Sequence, residues 1–337
     1  MKRTTWLFGA FLLTVLASCA READLVVYCA LDQEFAEPMI RRYEKESGLT
    51  VRAEFDIEAN KTVGLVQRLR EESKRPRCDV FWNNETAHSA RLAQDGFLAR
   101  YASPNAAAIP THFKDADAQW TGFAARARIL IVNTDLADPK SITSMWDVVD
   151  PKWAGKVAMA RPLTGTTLTH MAALYTVLGD AKAEEYVTRV HELGKSGALQ
   201  LANGNATVAR MVSEGKVAFG WTDTDDFAVQ LEKGAHVAAV YPDADGVGTL
   251  LIPNSIVVLK DAPHAENARR FVDWVLRPET EKELAFARSA QIPVRADVPR
   301  PPSVVTADQF KAMTVDFRAV GAQLEARAEH FKQLFLD

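Results

Sequence analysis

Three carboxylates crowd the stretch "GWTDTDDF" at 220–227: Asp223, Asp225 and Asp226. Like charges this close repel, so clustered carboxylates either share a proton or pair with positive charge. Val217, Ala218 and Phe219 just before them read as a strand, and a helix is expected to open near Thr224. Asp at a helix start also caps backbone N–H groups and complements the helix dipole. Capping accounts for one or two of the three; a cation held in a cleft accounts for the set. Oxygen-only carboxylate sites suit hard cations.

Other helix starts suit the opposite charge. "PLTGTTLTH" (162–170) is a Gly-Thr-Thr turn opening a helix, where free N–H groups and the hydroxyls of Thr166 and Thr167 could cradle an anion or simply cap the helix. "NKT" (60–62) and "NGNATV" (203–208), with Asn205 a capping residue, are similar starts. Arg126 and Arg128 are two apart on one strand and share a face, placing a guanidinium for a bound anion or for an ion pair within the protein. Trp82 and Trp221 end strands, where an indole stacks on a flat ligand or fills the core.

No nucleophile elbow, phosphate-binding P-loop or HExxH motif occurs, and His170 and His191 have no partner at metal spacing. A binding protein, not an enzyme, is the expectation. A secreted hydrolase using paired carboxylates is the rival class, separated by whether a ligand is turned over or kept.

The elements that must position these groups alternate. "DLVVYCAL" (24–31), a helix over 33–48, "LTVRAEF" (49–55), a helix over 61–74, "CDVFW" (78–82) and a helix over 86–96 follow one another with short links. This predicts an α/β fold with open, mostly parallel sheets flanked by helices, and ligands at the carboxyl ends of strands. "FAARARILIVNTDL" (123–136) and "TLLIPNSIVVLK" (249–260) read as strands crossing between two lobes, with a second α/β unit between them. The expected division is lobe one at 19–127 plus 250–300, lobe two at 128–249, and a C-terminal helical segment at 301–337. In that tail Phe310, Met313, Phe317, Val320 and Leu324 form one apolar stripe.

The chain has 337 residues, 25% charged, with a formal net charge of −4. No basic patch suggests nucleic acid, and a monomer is expected. Residues 1–18 read as a signal peptide: a basic start, the apolar run "WLFGAFLLTVLA", then "LASC". "LASC" resembles the lipobox of bacterial lipoproteins, which implies a lipid on Cys19 and a place in the periplasm or cell envelope; the plainer reading is a simple signal with an incidental cysteine. Cys29 and Cys78 sit at opposite ends of two strands expected to run parallel, beyond disulfide reach, and read as buried thiols.

"VVYCALDQE" (26–34), "RPRCDVFWNNE" (75–85), "ARARILIVNTD" (125–135), "DPKWAGKVAMARPLTGTT" (150–167), "EGKVAFGWTDTDD" (214–226) and "SAQIPVR" (289–295) together resemble the periplasmic solute-binding proteins of ABC importers, in their ferric-ion-binding branch. The resemblance implies a two-lobed Venus-flytrap fold hinged on two crossing strands, a small ligand taken between the lobes, and delivery to the transmembrane permease. The family's iron site uses a consecutive tyrosine pair; Asp225 and Asp226 stand there in this chain. Its first-lobe histidine falls near Asp32 and its glutamate at Asn84, beside Glu85. The implied ligand is Fe³⁺ or another hard metal held by Asp32, Asp225 and Asp226, with an anion on Thr166 and Thr167. The alternative is a small charged organic molecule, an aminophosphonate, thiamine-like compound or sugar phosphate. Asp32, Asn84, Glu85, Arg126, Thr166, Thr167, Asn205, Asp223 and the two tryptophans are the expected ligand contacts. No cofactor beyond the cargo is expected.

Overall fold

The computed structural model describes residues 22–56 and 62–336. The signal segment, Cys19 and Lys61 lie outside the described residues. Three parallel strands, β1 (Leu25–Cys29), β2 (Val51–Phe55) and β3 (Val80–Asn83), alternate with helices α1 (Gln33–Ser47), α2 (Val63–Glu71) and α3 (Thr86–Gln94). A left-handed Gly48 ends α1, as the sequence pattern predicts.

Strand β4 (Thr121–Asn133) is buried along its whole length and joins the two halves of the molecule. The second half follows it: β5 (Val157–Ala160), α4 (Gly165–Leu178), α5 (Asp180–Ser196), β6 (Leu199–Ala202), α6 (Asn205–Ser213), β7 (Phe219–Asp223), α7 (Thr224–Glu232) and β8 (Val237–Val240). The chain returns in β9 (Leu251–Val258) and closes with α8 (Ala265–Val275), α9 (Pro278–Phe286) and α10 (Phe317–Leu336). The strand order is β2-β1-β3-β9-β4-β7-β5-β6, with β8 also on β4. The first part of β4 pairs antiparallel with β9, and the later part with β7 and β8. One strand therefore belongs to both sheets. Between Phe123 and Ala125 its register shifts at Ala124, which has φ 40° and whose N–H donates to buried Glu281.

Two core clusters sit on the outer faces, one under α1 and α8, the other under α6. The third runs through both halves and includes Val320, Leu324 and Phe331 of α10. This helix packs on α3 and α4 at once. Gly321 permits the approach to α3: a Cβ there would stand 2.9 Å from the Arg91 backbone N and 3.0 Å from the Ala87 carbonyl oxygen. The apolar stripe of the tail is only half helical. Phe310 and Met313 precede α10, because Ala312 pairs with Thr249 in an extended bridge. Cys29 and Cys78 are buried free thiols, as the parallel β1–β3 register requires.

Candidate ligand-binding site

The carboxyl ends of the strands and the starts of the following helices converge on a cleft that encloses about 70 Å³. From the first half come Asp32 at the start of α1 and Asn84 and Glu85 at the start of α3; from the second come the first turns of α4, α6 and α7. Thr164 makes no side-chain cap to α4, Gly204 has no side chain to cap α6, and both first turns line the cleft, where the N–H groups of a helix start suit an anion. Asp225 and Asp226 lie in the first turn of α7. The site thus has an acidic side at α1 and α7 and an N–H-rich side at α4 and α6.

Arg126 and Arg128 share a face of β4, but their partners differ. Arg126 donates to the Asn84 carbonyl at 2.5 Å and to Asp225 at 3.5 Å. Burial opposes its charge, yet Asp225, Asp223, Glu85 and Asp32 outweigh this and raise its pKa above the ordinary value. Arg128 stands directly opposite Asp223 in the β4–β7 pairing and donates to it at 2.7 Å. Asp223 also accepts from Thr166 Oγ1 at 2.6 Å and Asn205 Nδ2 at 3.1 Å. Burial works against ionisation of Asp223, but Arg128, Arg126 and the Thr166 hydroxyl hold its pKa below the usual value.

The bacterial extracellular solute-binding protein family matches residues 38–312. The chain belongs to this family. Iron uptake protein A1 of Synechocystis is 24% identical over 92% of this chain and 90% of that protein. A putative 2-aminoethylphosphonate-binding periplasmic protein of Salmonella typhimurium is 25% identical, over 86% and 81%. A solved ferric binding protein from Campylobacter jejuni superposes with a TM-score of 0.81 at 20% identity, covering 92% of this chain and 99% of that one. The two-lobed fold is the one these solute-binding proteins share. Among the described residues no helix is long and apolar enough to cross a membrane.

Asp32, Asn84, Glu85, Arg126, Thr166, Thr167, Asn205, Asp223, Asp225 and Asp226 all line the cleft of this family member. Trp82 and Trp221 do not, and the expectation of stacking on a ligand is corrected. Trp82 is fully buried against Phe123; Trp221 is buried, edge-on to His170, with its indole N–H donated to Tyr186. Trp82 is next to last in β3 but Trp221 is the middle residue of β7, and both side chains are buried in the core. Among the described residues, the three carboxylates with oxygens within 4.8 Å of one another are Asp223, Asp225 and Asp226; Asp32 does not join this group. Arg161 and Asn203, joined by a 3.0 Å hydrogen bond, also line the cleft, and sequence reasoning missed both. Each follows a strand, β5 or β6, so the strand-end rule had the signal for them.

Proposed function

We propose that the chain is the receptor of an ABC importer, held at the cell envelope through Cys19. It captures a small solute bearing both a positive and a negative group and passes it unchanged to the permease. The observation that carries this ligand class is the pairing of Asp225 and Asp226 with the open first turns of α4 and α6 in one narrow cleft. A primary ammonium has three protons to place, and Asp32, Asp225 and Asp226 offer acceptors for them. A phosphonate, phosphate or carboxylate would take the helix N–H groups. The relative named for 2-aminoethylphosphonate binding supports this class.

A hard metal with a companion anion is the second reading, supported by the mutual approach of Asp223, Asp225 and Asp226 and by the ferric relatives. It asks more of the site. Asp223, whose oxygens already accept from Arg128, Thr166 and Asn205, would have to share them with the ion. In either case the lobes, 19–127 with 250–300 and 128–249, close about β4, and the ligand biases closure by touching both.

Calorimetry with 2-aminoethylphosphonate and with ferric citrate, on wild type and on the Asp225→Asn, Asp226→Asn pair, tests this. Tight binding of the aminophosphonate, lost in the double variant, is expected. Binding of ferric iron with no response to the aminophosphonate would replace the first reading by the second.

A further inference from the structure

The floor of the cleft is a closed set of hydrogen bonds centred on Arg128. The Thr166 hydroxyl spends its one proton on Asp223, while its lone pairs receive Asn205 Nδ2 at 2.8 Å and Arg128 Nη1 at 3.3 Å. Asn205 spends its two amide protons on Thr166 and Asp223, and its Oδ1 accepts the Thr167 hydroxyl at 3.0 Å. Thr167 receives Arg128 Nη2 at 3.4 Å. By donor and acceptor count, Thr166, Thr167 and Asn205 keep no side-chain proton for a ligand. They face inward, and the anion side is left to backbone N–H groups.

Through these bonds one guanidinium ties three helix starts: α4 by Thr166 and Thr167, α6 by Asn205, α7 by Asp223. Arg128 is 1% exposed and lies over the Trp221 ring at 5.7 Å, so its plane is fixed from below. We propose that Arg128 is the positioning residue of the ligand site, with Asp223 its internal counter-ion and not a ligand contact. The planar fork matters: a lysine is a point charge and cannot address Asp223 and both threonines together. The inference rests on reading this cleft as the ligand site.

Hydrogen exchange on the ligand-free full chain tests it without needing a ligand. Arg128→Lys keeps the buried charge and is expected to speed exchange of the amides that bond back to the first turns of α4, α6 and α7, Leu168 and Val208 among them, by at least about tenfold, with α1 and α3 unchanged. Wild-type rates at those turns, or a rise at one alone, would overturn the proposal. Should the variant not fold, Thr167→Val removes one arm and is expected to loosen α4 and α6 but spare α7; no change at either start is contrary. Asp223→Asn, titrated with 2-aminoethylphosphonate, adds the binding readout. Weaker binding accompanied by faster exchange fits a positioning role; weaker binding at wild-type exchange rates makes Asp223 a ligand contact. If no aminophosphonate binds even to wild type, the ligand class fails while the exchange result still decides the role of Arg128.

Discussion

Glu85 at the start of α3 accepts a hydrogen bond from Thr169 of α4, across the cleft and within the protein itself. Its other oxygen lies 3.5 Å from Thr62 Oγ1, and the side chain is fully buried. An intramolecular hydrogen bond contributes about 0.5–1.5 kcal/mol net. The two halves are thus linked without a ligand. Glu85→Ala is expected to expand the ligand-free protein in small-angle scattering. Equal radii of gyration for the two forms would show that this bond does not hold the cleft.

Gly321 is where α10 touches α3 backbone to backbone. Gly321→Ala has no flexible neighbour to push aside. Overpacking of this kind costs about 1–3 kcal/mol, so thermal unfolding should fall by several degrees. An unchanged Tm would mean that α10 can lift from α3 at no cost.

Asp223→Ala and Asp225→Ala should separate cleanly in stability. The first leaves Arg128 buried without its partner and is expected to cost about 3–5 kcal/mol. The second also removes a carboxylate 3.5 Å from a buried guanidinium, but Arg126 keeps the Asn84 carbonyl and the charges of Asp223, Glu85 and Asp32, so its loss should be the smaller of the two. Urea midpoints compare them; equal losses would count against the Arg128 network.

Acid should destabilise the fold through two histidines. Burial, then Arg70, lowers the pKa of His88 to about 4; burial, then Arg128, lowers that of His170 to about 3. Both folded values lie below the ordinary 6.5, so the unfolded chain takes up protons first. Their contribution is full above 6.5 and is lost as pH falls toward the folded values. Each tenfold loss of proton affinity on folding corresponds to roughly 1.4 kcal/mol, so the two histidines together contribute several kcal/mol. Urea midpoints should drop between about pH 7 and pH 4.5, and His88→Gln should flatten that slope.

Much of this was legible in the sequence because apolar runs and short links mark the strands, and strand ends mark the cleft. Asp32, Glu85 and Asp225, expected there, line the cleft. What was hidden depends on pairing across long distances. Arg128 meets Asp223 only through the β4–β7 register, 95 residues apart. That partnership turns Thr166 and Thr167 inward, which their Gly-Thr-Thr context does not reveal. The tail misled for a related reason: the stripe from Phe310 has helical spacing, but the bridge from Ala312 to Thr249 holds that segment extended. Trp82 and Trp221 show the limit of the strand-end rule: Trp82 is next to last in β3 and still buried in the core, and Trp221 is in the middle of β7.

The central claim is tested most directly by native mass spectrometry on protein purified from its own cell envelope, with the bound mass released and fragmented. The account predicts one small organic molecule per chain, carrying an amine and a phosphonate, phosphate or carboxylate, and absent from the Asp225→Asn, Asp226→Asn pair. A stoichiometric metal ion with no organic mass, retained by wild type and lost in that pair, would contradict it.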